Sequence, residues 1–247
     1  MQIEEFALGN SIIHRLDPRV KIVVTFIFSI MVAVTNSIAT AAVAMILPVV
    51  LILTARVDLV QVLRRVAVVN TFVLFLCVFL PFTYPGRTIL SFGPLDVHME
   101  GLTYAALITI KSNAVILMVI ALLGTSPVFS LVHALSRMGL SEKLVHLFFF
   151  CFRYIHVIHE EYHRLSNAMK MRGFKAGTNM HTYRSYAYLM GMLLVRSFDR
   201  SARIFAAMKC RAFKGRFYVL HDYRMKRGDY LLAATSVLFS CCLLIVK

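Results

Sequence analysis

Residues 22–55 read IVVTFIFSIMVAVTNSIATAAVAMILPVVLILTA, 34 positions without one charged side chain. A single membrane-crossing helix needs about 20 apolar residues. The stretch is too long for one such helix and long enough for two. Thr35-Asn36-Ser37 interrupts it with turn-forming residues, which predicts two spans, about 19–35 and 38–55. Continued hydrophobicity beyond Ala39-Thr40-Ala41, behind a leader containing Glu4 and Glu5, argues against a cleaved signal peptide.

The rest of the chain follows the same grammar. Arg56-Val57-Asp58 and Arg64-Arg65 read as a basic connector, followed by a third apolar run at about 66–83. Tyr84–Glu100 carries Pro85-Gly86 and Gly93-Pro94 turns, and a fourth run covers about 102–124. The last occupies about 230–246. Apolar residues make up 59% of the 247 and charged ones 16%, against roughly 45–50% and about 25% in soluble domains. A soluble enzyme and a disordered scaffold are both excluded. The five cysteines (Cys77, Cys151, Cys210, Cys241, Cys242) show no C-x-x-C spacing and read as small buried hydrophobes.

Charge sets the orientation. Of 27 Lys and Arg, residues 125–229 hold 18, against 6 of the 12 acids. The amino terminus and the 56–65 connector are also basic, whereas the 36–37 turn and the 84–101 loop are not. Under the positive-inside rule these two sets alternate as five spans require, with the amino terminus and the large block cytoplasmic. The expectation is an all-α polytopic membrane protein with about five transmembrane helices. Residues 1–124 hold the amino-terminal segment and four spans, 125–229 an inserted cytoplasmic helical region, and 230–247 the last span. Lys111, mid-span beside Asn113, is a functional candidate by depth alone. With no carboxylate in another span, it reads instead as a hydrogen-bond donor to a neighbouring helix.

Within the basic block, Ser126-Pro127 starts a helix and Gly139 ends it. A longer helix runs from Ser141-Glu142 to about Met171, and another covers about 183–211. These two end alike. Ala168-Met-Lys-Met-Arg-Gly-Phe-Lys175 returns as Ala207-Met-Lys-Cys-Arg-Ala-Phe-Lys214, with Arg164 over Arg203 and Glu160 over Asp199. Each copy sets one arginine, Arg172 or Arg211, between a methionine and a phenylalanine. A patch attracted to anionic lipid needs no such repetition, and nucleic-acid binding asks for a solvated basic face. Two equivalent plugs point to two equivalent sockets on a partner.

His159-Glu160-Glu161-Tyr162-His163 matches the H-E-x-x-H zinc-hydrolase pattern, with His156 one turn away. The repeat copy has Phe198 and Ala202 in place of the two histidines and keeps an acid. That makes the histidines incidental. A membrane zinc metalloprotease built on them is the alternative from the enzyme class, and a self-sufficient permease using Lys111 is a third reading.

The chain resembles the transmembrane coupling subunit (T component) of energy-coupling-factor transporters, in particular the CbiQ-type subunit of cobalt and nickel importers. The resemblance rests on Leu16-Asp17-Pro18-Arg19-Val20-Lys21, Thr125-Ser126-Pro127 with Leu131, Leu135 and Gly139-Leu140, Arg153-Tyr154, Glu160-Glu161, and the paired arginine motifs. It implies that Met171-Arg172-Gly173 and Cys210-Arg211-Ala212 cap two coupling helices, each docking on one of two ATP-binding-cassette ATPases. Glu160, Arg164, Asp199 and Arg203 become candidate supports of those helices. The second motif has cysteine and alanine where the family's usual form is Ala-Arg-Gly. Other implied partners are a metal-binding membrane S component similar to CbiM, a small accessory membrane subunit and the bilayer of a bacterial or archaeal plasma membrane. No catalytic residue, cofactor, metal ligand or nucleic acid is implied. The chain has no G-x-x-x-x-G-K-[ST] loop, so ATP is expected to be turned over elsewhere.

Overall fold

Asp17 and Pro18 open the first helix. The Asp17 carboxylate accepts the Arg19 N–H at 2.9 Å, and proline occupies the first helical position, where it sacrifices no hydrogen bond. In the computed structural model, which describes residues 9, 11, 13–83, 88–92, 95–213 and 227–245, this cap follows a 3-10 turn at Ile13–Arg15. The helices are α1 (Pro18–Val34), α2 (Ile38–Ala44), α3 (Ile46–Ala55), α4 (Leu59–Thr83), α5 (Met99–Val119), α6 (Val128–Arg137), α7 (Glu142–Met171), α8 (Met180–Cys210) and α9 (Arg227–Ile245). Lys214 and the basic connector after it, the Pro85-Gly86 and Gly93-Pro94 turns, and the side chains of Cys241 and Cys242 lie outside the described residues.

Several expectations need correction. The 38–55 run is two helices that meet at Met45, because Pro48 has no N–H to offer the Ala44 carbonyl and its ring crowds that turn. The third apolar helix begins at Leu59 rather than near 66. Asp58 caps it by accepting the Val60 N–H at 3.1 Å, so Arg64 and Arg65 are helical. Between α4 and α5 the chain forms a small antiparallel hairpin, β1 (Thr88–Phe92) with β2 (Leu95–His98), the one departure from an all-helical membrane fold among the described residues. Among the described residues, Ile38–Ala55, Leu59–Leu80 and Met99–Gly124 are long and apolar enough to cross a bilayer, and Gly228–Phe239 is a shorter apolar helix. α1, at 17 residues, sits at the lower bound for a span. Cys151 and Cys210 are exposed and Cys77 is half-buried, so the described cysteines are not core residues.

The chain divides into two compact units, residues 1–134 with 221–247, and residues 135–220. In the first, α5 packs against α1, α2, α3 and α4, and α9 packs against α1 and α2. Val24, Phe28 and Val32 recur every fourth residue on the face α1 buries. Ala41, Ala44, Ala55, Ala105, Ala114 and Ala121 are all buried to 3% exposure or less. Small side chains at such interfaces let helices approach closely where lipid offers no hydrophobic drive. The second unit contains α7 and α8, helices of 30 and 31 residues and so each about 45 Å long.

Candidate functional site

α7 and α8 end in the same hydrogen-bonded device. Gly173 N–H donates to the Lys170 carbonyl at 3.0 Å and Phe174 N–H to the Met169 carbonyl at 3.1 Å. On α8, Ala212 N–H reaches the Lys209 carbonyl at 3.0 Å and Phe213 N–H the Met208 carbonyl at 3.1 Å. This is the Schellman closure, which needs a left-handed residue just past the helix and favours an apolar contact between the residue after it and the third from the end. Gly173 and Ala212 have φ of 81° and 54°. Met169 and Phe174 line one cavity of about 520 Å³, and Met208 and Phe213 another of about 600 Å³.

That geometry reassigns half of the repeated motif. The methionine and phenylalanine occupy the two positions whose contact closes a Schellman cap, so they are recurrent for a local reason. The arginines are not needed for the cap. Arg172 and Arg211 each sit at the last helical boundary, exposed, at φ −84° and −90°. Among the described residues neither guanidinium makes a hydrogen bond or ion pair. Met171 is 91% exposed. Each helix thus presents a fully charged planar donor on a backbone fixed by two hydrogen bonds, suited to bidentate acceptors on another protein.

The residues expected to support these helices are only partly brought together. Arg164 lies 3.8 Å from Glu161, not Glu160. Glu161 is the buried acid of the second unit: Arg196 on α8 donates to its carboxylate, and Arg200 lies 3.7 Å away. The hydrogen bond from Arg196 is the largest influence on the Glu161 carboxyl and holds it below the ordinary carboxylate range, with burial opposing. Glu160, Asp199 and Arg203 are exposed. The repeat alignment paired acid with acid, whereas the fold pairs the acid of one helix with arginines on the other. The signal was present in Arg196 and Arg200, which at i and i+4 share one face.

The histidines pair with each other. His159 and His163 place Nε2 atoms 3.0 Å apart, both rings exposed. A catalytic zinc takes three protein ligands, and no group of three or more His, Cys, Asp or Glu side chains converges among the described residues. Lys111 Nζ donates to the Ala33 carbonyl at 3.0 Å, in the last turn of α1, where carbonyls lack helical partners. That is the neighbour-helix role expected of a lysine with no carboxylate in another span.

Sequence reading missed a buried polar cluster in the first unit. Lys21 is fully buried, and its Nζ donates to Ser126 Oγ at 2.6 Å and Thr125 Oγ1 at 3.3 Å. Thr125 Oγ1 donates in turn to the Ala121 carbonyl at 2.9 Å. The Asp17 N–H donates to the Asp229 carboxylate at 2.9 Å, and that carboxylate's charge acts on the Lys21 ammonium. A lysine just before an apolar run reads as an interfacial anchor. Its partners are more than a hundred positions away, out of reach of any local pattern.

Both helices of the second unit also carry exposed apolar stripes. Leu144, Phe148, Ile155 and Ile158 lie along α7, and Leu194, Phe198 and Phe205 along α8, spaced by three, four or seven residues. An unpaired stripe of this kind marks a surface for other helices or proteins.

Comparison with known proteins gives one family. The CbiQ family, described as "Cobalt transport protein", matches residues 9–219. A protein of Thermosediminibacter oceani named "Energy-coupling factor transporter transmembrane protein EcfT" is 29% identical over 228 residues, covering 86% of this chain and 84% of the relative. The protein of that name from Bacillus subtilis (strain 168) is 26% identical, covering 87% and 85%. One from Ruminiclostridium cellulolyticum is 22% identical over 99% of this chain and 96% of the relative.

Proposed function

This chain belongs to the CbiQ family, and from that premise we propose that it is the transmembrane coupling component of an energy-coupling-factor importer for cobalt or nickel ions. The observation that carries the reading is the pair of identically closed helix ends, each presenting one uncommitted arginine. Two such ends suit two copies of an ATPase. ATP hydrolysis then belongs to those partners, and metal binding to a separate CbiM-like membrane subunit, with a small accessory membrane subunit alongside. Five spans carry the chain through a bacterial or archaeal plasma membrane. Residues 1–124 and 230–247 are the membrane part, with the amino terminus cytoplasmic, and 125–229 the cytoplasmic coupling region. The exposed stripes on α7 and α8 support the same reading, since a coupling element must bind more than one neighbour.

The test is co-purification of ATPase chains and uptake of labelled metal for Arg172→Ala, Arg211→Ala and the double variant. Losing one partner of a buried charged pair costs about 2–5 kcal/mol, so each single change weakens assembly and the double abolishes it. Lys170→Ala with Lys175→Ala is the control, because both lysines are exposed. Equal damage from the lysine pair would replace docking by diffuse electrostatics. The relatives' name specifies no substrate, which favours as second reading a coupling component for another cargo; ATPase co-purification without cobalt or nickel uptake would select it.

A further inference from the structure

We infer that Asp17, Lys21, Thr125, Ser126 and Asp229 form the joint through which movement of the cytoplasmic region is delivered to α1; the inference rests on the coupling function proposed above. All five lie within the first unit, at the edges of the cytoplasmic region proposed above: Thr125-Ser126 follow the last span before it, where Pro127 leads into α6, and Asp229 stands in the first turn of α9, which carries the chain back into the membrane. Both passages are fastened to the first turn of α1. Lys21 holds the outgoing strand through the Ser126 and Thr125 hydroxyls, and the Asp17 N–H holds the returning strand through the Asp229 carboxylate. All five residues are 5% exposed or less.

Burial on this scale is not what simple anchoring requires. An ammonium taken out of water is costly unless hydrogen bonds and an opposite charge compensate it, and well-packed apolar residues often do as well or better for stability alone. What a directional network adds is a fixed position for each strand. Immediately upstream of Thr125, residues Ile120–Gly124 form a π-helical turn whose Ala121 and Leu122 are fully buried. Such turns are irregular by nature and recur at functional places in helices. Thr125 bridges this turn to Lys21 by donating to Ala121 while accepting from the ammonium.

α1 is also held at its other end, where Lys111 Nζ donates to the Ala33 carbonyl. The helix is therefore pinned near both termini, at Lys21 to the segment that leads into the cytoplasmic region, at Asp17 to the segment that leads out of it, and at Ala33 to the middle of α5. A pull on residues 125–126 or on residue 229 therefore reaches α1 through these bonds as well as the spans those residues belong to, α5 and α9. Asp17 and Lys21 are positioning residues for coupling, distinct from the arginines that dock.

The experiment uses the whole transport complex in liposomes, with Lys21→Met, Asp229→Asn and the combined variant. Co-purified ATPase and ATP hydrolysis stay within about twofold of the unaltered complex, while metal taken up per ATP falls about tenfold, a coupling loss of ordinary size. The combined variant removes one cation and one anion together, so the net charge of the cluster is unchanged and Asp17 keeps Arg19 at 4.0 Å, and it accumulates normally. Uptake per ATP at the unaltered level in that variant would overturn the joint, and so would a parallel loss of ATPase co-purification and uptake. Failure of the unaltered chain to retain ATPases is a different result, and it sinks the coupling function rather than the joint.

Discussion

Gly173 and Ala212 adopt the same left-handed backbone, at φ 81° and 54°, at the ends of two helices whose final residues repeat. Only glycine does so without strain. For an L-residue the left-handed conformation costs roughly 1–2 kcal/mol. A Cβ added at Gly173 meets nothing within 4 Å, so backbone strain alone decides the outcome there. Gly173→Ala should lower, and Ala212→Gly raise, thermal stability of the purified chain by about 1 kcal/mol each. Shifts in the same direction would show that the shared cap is not what shapes these ends.

Glu161 makes the second unit pH-dependent. In the folded chain Arg196, with Arg164 and Arg200, holds its carboxyl below the ordinary range. On acidification the unfolded chain therefore takes up this proton first. The stabilisation is complete above the ordinary carboxylate pKa and disappears as pH falls through the depressed folded value. Arg196 is 45% exposed in its side chain, so salt should weaken the effect. Thermal midpoints measured across that acidic range should decline more steeply for the unaltered chain than for Glu161→Gln. Identical slopes would remove Glu161 from the account.

Much of this architecture was open to local reading, and the exceptions share a cause. Ser126-Pro127, Gly139 and Gly173 mark helix boundaries because caps are made by neighbours in sequence. Gly139, for example, takes φ 96° and closes α6 with a Leu140 to Leu135 bond of 3.2 Å. α4 begins at Leu59 and not near 66: Arg64-Arg65 read as a connector, whereas Asp58 supplies the cap. Lys21 and Glu161 are defined by partners on other elements: Ser126 lies 105 positions from Lys21, and Arg196 lies 35 from Glu161. Neither separation leaves a periodic trace. Pairing between elements, rather than helix formation, is where a single sequence falls silent.

The histidine pair on α7 should prove dispensable. His159 and His163 are exposed and pair with each other. Substitutions at such surface positions change stability by about 0.5 kcal/mol or less. His159→Ala with His163→Ala should leave metal uptake and ATPase co-purification near the unaltered level. Loss of uptake together with loss of one bound zinc per chain would instead restore the hydrolase reading.

Topology is accessible to labelling. In a background lacking the native cysteines, Glu100→Cys at the start of α5 and Asn167→Cys near the end of α7 are both exposed positions. An impermeant thiol reagent applied to intact cells should mark residue 100 and spare residue 167. Reaction at 167 from outside is incompatible with a cytoplasmic coupling region.

Among the described residues of α7 and α8, only Glu161, Thr182 and Leu189 are buried. Sixty-one positions of helix therefore bring almost no core of their own, while Phe148, Leu194 and Phe198 stand uncovered. A surface like this is tolerable only when something covers it. Copies made in excess of their companions are left adhesive, prone to clump and to be cleared by quality-control proteases. Under the coupling function proposed above, the abundance of this subunit is thus metered by the supply of those companions.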